Sequence, residues 1–138
     1  MQKNGQKGAI LLFVVIIVAI IGILYTSIYT LINSERKIHQ TVEYRMKAYY
    51  IAESGIERAA AIIKASDDED IPEELPALDN PFAEQYTEEH RIEVTIEKNA
   101  PTYKITSRGK FKNTVRIIEE EIFKKDDTFN VQYWKEIN

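Results

Sequence analysis

Residues 9–32 read AILLFVVIIVAIIGILYTSIYTLI, and the run of 27 residues from Gly8 to Ser34 that contains them carries no charged side chain. A bilayer core takes about 20 apolar residues in helical form, so the stretch is long enough for one membrane-spanning helix. Tyr25 and Tyr29 fall toward its outer end, where interfacial aromatics sit. A helix apolar on every face could instead be the core of a large soluble protein, but only about 100 residues remain to cover it. A secretory signal peptide ordinarily has an apolar core of about 7–15 residues, shorter than this one, and no small-x-small site precedes the charged Glu35-Arg36-Lys37. Moving outward, Lys3 and Lys7 lie before the run and Arg36, Lys37, Arg45 and Lys47 after it, so the positive-inside rule leaves orientation undecided.

With the span removed, a chain of 138 residues holds one small domain and a stalk. The absence of cysteine excludes disulfides and a thiolate metal site. The net charge of −4 conceals an asymmetry: Ser66 to His90 contains ten acids and no Lys or Arg, while the other residues hold 12 acids against 18 bases. No block is basic enough to announce nucleic-acid binding.

Past the span, Leu31, Ile38, Val42, Met46, Tyr49, Ala52, Ile56, Ala59 and Ile63 recur mostly at steps of three or four, which predicts a continuous helix over 9–65 with an amphipathic outer half. Pro72, Pro76 and Pro81 and the lack of a sustained period make 66–90 an irregular acidic connector. The period then becomes two: Ile92, Val94 and Ile96 alternate, Asn99-Ala100-Pro101 turns, Tyr103 and Ile105 alternate, and Ser107-Arg108-Gly109-Lys110 reads as a second turn. Phe111, Val115 and Ile117 suggest a third strand toward Ile122, and Phe129 to Trp134 a fourth. The expected fold class is α+β: a long helix whose outer half packs on a small antiparallel sheet of three to four strands within 91–138.

This pattern resembles the type IV pilin superfamily, in which a short basic leader ending in glycine precedes a hydrophobic helix. Lys7-Gly8 followed by Ala9-Ile10-Leu11-Leu12 fits the leader junction, and Ala48-Tyr49-Tyr50-Ile51-Ala52-Glu53-Ser54-Gly55-Ile56-Glu57-Arg58-Ala59 is similar to the A-x-x-A-E-x-G-[IL]-E-x-A motif of minor pilins and of the tip pseudopilin of type II secretion. The resemblance is specific over 1–64 and only architectural over the sheet, although a late strand ending in Trp134 is also similar to the shortest competence minor pseudopilins. It implies a pilin-like fold, a leader over 1–8, cleavage between Gly8 and Ala9 by the prepilin peptidase, N-methylation of Ala9, and Ala52, Glu53, Gly55 and Ile56 as helix-packing and assembly residues.

Implied partners are the peptidase, other minor and major pilins or pseudopilins in a hetero-oligomer, and the cytoplasmic membrane before assembly. The implied localisation is single-pass, N-terminus in the cytoplasm and C-terminal domain outside, followed by a filament. One departure matters: the fifth residue after the junction is Phe13, where major pilins carry a glutamate. A carboxylate in hydrocarbon is costly unless paired, and in the family it is thought to meet the amine of the neighbouring subunit. A subunit that starts a filament has no earlier neighbour, so Phe13 implies a position at the tip or in the initiation complex.

No nucleophile elbow or phosphate-cradling glycine loop is present, and no enzyme activity or cofactor is expected. His39 reads as a solvated stalk residue and His90 as a loop residue before a strand. Asp67-Asp68-Glu69-Asp70 could gather calcium ligands but lacks EF-hand spacing, so a solvated connector is the expectation. Lys110, Lys112, Arg116, Lys124 and Lys125 with Tyr103, Phe111 and Phe123 would suit DNA contact, but ordinary strand faces explain them better. The competing function is a single-pass membrane-anchored binding or sensory module that keeps its N-terminus. A secreted soluble protein is a third reading and requires cleavage after the helix.

Overall fold

The computed structural model describes residues 3–67, 69–125 and 128–137, with side chains from residue 9 onward. One helix, α1 (Lys3–Ala65), precedes five strands: β1 (Glu74–Asp79), β2 (His90–Asn99), β3 (Thr102–Phe111), β4 (Thr114–Lys125) and β5 (Thr128–Ile137). The chain divides into two compact units, Met1–Thr41 and Val42–Asn138, and α1 contributes to both. No proline interrupts α1, and the chain leaves it at Ser66, whose N–H still donates to Ile62 O at 2.9 Å.

In the second unit α1 lies on one face of a five-stranded antiparallel meander ordered β1-β2-β3-β4-β5. Ala48, Ile51, Ala52, Ile56, Ala59 and Ile63 form the buried stripe of the helix, spaced at three and four residues so that they share a face. Ile92, Val94, Ile96, Tyr103, Ile105, Phe111, Ile118 and Ile122 form the buried face of the sheet. Fully burying each of the large aliphatic residues contributes about 1.5–3 kcal/mol, so the helix stripe and the sheet face stabilise each other. The expected α+β class and the packing of helix on antiparallel sheet are observed.

Several details differ from the sequence reading. The sheet has five strands because the connector 66–90 contains β1. Leu75 pairs with Val94 and Leu78 with Ile92, and Ile71 and Leu75 enter the core, which outweighs the local acidity. Pro76 is tolerated because β1 is an edge strand with an irregularity between Leu75 and Leu78. Ser107 to Lys110 is not a turn but the middle of β3, paired with β2 through Val94↔Ser107 and Arg91↔Lys110; the chain reverses instead at Lys112, which adopts φ 50°. Of the expected amphipathic stripe, Leu31, Ile38, Val42 and Met46 are exposed; the fully buried stripe begins at Ala48, one turn after Tyr44, which packs on Phe111. The peptide bond before Pro101, in the β2–β3 turn, is cis.

Candidate functional site

In the first unit the chemistry is that of the lateral surface of α1. Every residue from Ala9 to Ile32 is exposed, Phe13 at 65% and Tyr25 at 69%, so no face of this apolar segment is covered by the chain itself. Its serine and threonine hydroxyls are already satisfied: Thr26 Oγ1 and Ser27 Oγ donate to Ile23 O at 2.8 and 2.9 Å, and Thr30 Oγ1 donates to Ser27 O at 2.8 Å. Such back-bonding lets polar residues sit in hydrocarbon without orphaned groups. Among the described residues this is the one helix long and apolar enough to cross a membrane. Gly8 and Ala9 lie within its helical backbone, whereas Met1 and Gln2 of the expected leader lie outside the described residues.

The residues singled out for assembly fall on different sides of α1. Ala52, Gly55 and Ile56 are buried against the chain's own sheet, and Glu53 is half-buried on the flank. A Cβ on Gly55 would meet Ser107 Oγ and lie 2.9 Å from methyls of Ile92 and Val94, while one on Gly109 would run into Ala48 O and the Ala52 N–H. The two glycines thus let helix and sheet approach closely, and the small residues of the motif are occupied within the chain.

His90 is not a loop residue but opens β2, 1% exposed. Its Nε2 accepts the Phe82 N–H at 2.8 Å, so the ring is the tautomer whose Nδ1–H donates to Glu88 O at 3.0 Å. Its backbone N–H donates to Asn80 Oδ1, and its ring stacks on Phe82 at 6.0 Å and meets Tyr86 edge-on at 5.4 Å. The 80–89 loop is therefore built around this imidazole. Lys112 ties the loop to the helix, bonding Tyr44 Oη at 3.1 Å and pairing with Glu88 at 3.2 Å; the Tyr44 and Glu88 contacts raise the lysine pKa, and Lys112 lowers that of Glu88. His39 is an exposed helix residue.

The basic and aromatic residues weighed for DNA do not share a surface. Tyr103 and Phe111 are core, Lys110 faces Glu89, Arg116 pairs with Glu136 at 3.2 Å, and Lys124 Nζ donates to Ile63 O and Ser66 O at the helix end. Among the described residues no three His, Asp or Glu side chains are grouped to hold a metal ion; Asp68 of the acidic run lies outside them. A concavity of about 740 Å³ on the sheet face away from α1 is lined by Asp79, Glu89, Arg91, Glu93, Arg108 and Lys110, whose charges pair with one another, Arg91 with Asp79 at 3.0 Å and with Glu93 at 2.8 Å. It presents a neutralised polar surface.

A smaller groove of about 220 Å³ opens on the other side, between α1 and β5, lined by Arg45, Met46, Tyr49, Tyr50, Arg116 and Glu136. The Trp134 ring stands 6.4 Å from Tyr49 at 67°. Burial pushes the Tyr49 hydroxyl above its ordinary pKa, with Glu53 and Glu136 adding to it. On the same sheet face Glu120 lies between the buried Ile118 and Ile122, opposite Trp134 in the ladder, and burial raises its carboxyl above the usual carboxylate value. Neither this groove nor β1 was evident in the sequence; the signal for the groove is the apolar spacing of Val42, Met46 and Tyr50 beyond the buried stripe.

Fold and site together define an α+β protein with one uncovered apolar helix and a sheet-bearing second unit. Compared with protein-family models, with curated proteins and with solved structures, the chain matches none.

Proposed function

We propose that this chain is a membrane-anchored structural subunit of the type IV pilin kind, a minor pilin or pseudopilin that acts at the tip or in the initiation complex of a pilus, competence pseudopilus or secretion pseudopilus. The observation that carries the reading is the division of labour along one helix: residues 9–32 are apolar and exposed all round, while 48–63 hold a small antiparallel sheet. A segment of the first kind is stable only in a bilayer or among other apolar helices, and one chain moving from membrane to filament core requires both. The Lys7-Gly8-Ala9 junction and the motif over Ala48–Ala59 favour this reading over other single-pass architectures. On it, the prepilin peptidase cuts after Gly8, Ala9 is N-methylated, and the sheet faces outward to meet other subunits.

Intact mass and N-terminal sequencing of the membrane-extracted protein, with and without the co-expressed peptidase, test the proposal. The expected result is a chain that starts at Ala9 only when the peptidase is present. A chain retaining Met1 in both samples would make it a permanent single-pass anchor for a binding or sensory module. Position along the filament is tested by Phe13→Glu: incorporation along the whole shaft should not improve, and improvement would remove the tip assignment.

A further inference from the structure

We propose that His90 is an acid-sensitive latch: as a neutral ring it holds the 80–89 loop closed, and on taking a proton at Nε2 it releases the start of that loop. The segment 80–89 joins β1 to β2 without a helix or strand of its own. One imidazole bridges its two ends. Phe82 N–H donates to Nε2 at 2.8 Å near the start, and Nδ1–H donates to Glu88 O at 3.0 Å near the end. The ring is only 1% exposed, so bulk water does not replace a partner lost there.

A proton from solvent occupies the Nε2 lone pair and turns an acceptor into a donor, leaving two N–H groups face to face. The Nδ1–H bond is unaffected. Phe82 must therefore move off the ring, and with it goes the turn that it anchors, since Gln85 N–H and Tyr86 N–H both donate to Phe82 O at 2.9 Å. The far end of the loop has other ties: Lys112 N–H donates to Glu89 O at 3.0 Å and Lys112 Nζ pairs with Glu88 at 3.2 Å. Release is thus confined to the Phe82 side.

The charges around the ring favour this response. On the loop, Glu88 is engaged by Lys112, whose hydrogen bond holds the carboxyl below its usual pKa, so the pair persists while an imidazole takes its proton. Glu89 faces Lys110 at 4.0 Å, and Glu84 is exposed. On β1, Asp79 is paired with Arg91 at 3.0 Å. On α1, Lys47 is paired with Glu43 and lies over the rings of Tyr86 and Phe111, the first edge-on to His90 and the second its partner in the β2–β3 ladder. Lys112 reaches Tyr44 of the same helix. The neighbouring acids are matched and two ammonium groups flank the aromatic cluster, so the closed loop suits the neutral ring. Opening exposes the rings of Phe82 and His90, stacked at 6.0 Å when closed, and gives acid conditions an apolar surface that neutral pH hides. None of this depends on processing at Gly8, so its failure leaves the proposed function standing.

Hydrogen exchange of the full-length protein in neutral detergent, read by NMR between about pH 7.5 and pH 5, tests the latch across the range in which imidazole titrates. Rates are corrected with the same amides in denatured protein. The expected result is that protection of the Phe82 amide falls roughly tenfold or more, as for loss of one buried hydrogen bond, with Gln85 and Tyr86 following and the central strand β3 unchanged. The fall should share its midpoint with the titration of the His90 ring, which His39→Gln distinguishes from the one other histidine. His90→Gln should make loop protection independent of pH, and His39→Gln should leave the fall in place. Constant protection at Phe82, a ring that titrates with a different midpoint, or a fall that persists in His90→Gln would overturn the proposal. So would loss of protection in β3 over the same range, which makes the event acid unfolding. A thermal melt shows whether His90→Gln is folded; if it is not, agreement or disagreement of the two midpoints in the unsubstituted protein decides.

Discussion

Gly109 sits where β3 passes closest to α1, and the atoms a side chain would meet there belong to the helix backbone at Ala48 and Ala52, which cannot step aside. Gly109→Ala should therefore destabilise by about 3 kcal/mol or more, at the upper end of overpacking costs. Gly55→Ala meets side-chain atoms of Ser107, Ile92 and Val94 instead, and alanine returns about 1 kcal/mol of helix propensity, so its net cost should be clearly smaller. Chemical denaturation of both variants checks the order. Glu120 makes a prediction of opposite sign. Its folded pKa is raised, so the native state holds the proton more tightly, and its contribution to stability is full below the usual carboxylate pKa and lost as pH rises through the higher folded value. Glu120→Gln should accordingly raise the melting temperature at neutral pH and leave it nearly unchanged in acid. In the sequence, Gly109 reads as a turn because glycine is a local breaker; its use for close approach depends on a helix some 60 positions away in the chain, which no local signal contains.

At the scale of elements, the end of α1 is tied by a distant strand. Lys124 Nζ on β4 donates to Ile63 O at 2.8 Å and Ser66 O at 2.5 Å, supplying hydrogen bonds and positive charge where the last carbonyls of a helix need both. Lys124→Met should cost about 1 kcal/mol and, by hydrogen exchange, fray the last turn before the rest of the helix. Acidity hid β1, because six residues with two acids and a proline score poorly as a strand, and only pairing with β2 and burial of Leu75 justify it. β2 and the start of β3 were legible, since strict alternation of apolar residues is itself the signature of a sheet with one covered face. The role of His90 was not legible, because its partners Asn80, Phe82 and Glu88 are brought to it by the fold of the loop.

For the whole molecule, residues 9–32 decide where the chain can reside. A charge at mid-span costs about 2.5–3.5 kcal/mol for insertion, so Ile17→Arg should move protein from the membrane fraction to the soluble or degraded fraction, as read by carbonate extraction and immunoblotting. The same substitution should leave the melting of the second unit unaltered, because its buried core begins at Ala48. By itself the sequence determined the uncovered apolar helix, the helix-to-strand order and the α+β class, because length, charge-free composition and period are properties of the chain read locally. Only the tertiary structure decided that the sheet has five strands, that the glycines serve close packing, and that a groove lined by Met46, Tyr49, Tyr50 and Arg116 lies open beside β5. These depend on which distant residues meet, and burial, strand register and close approach exist only once they have met.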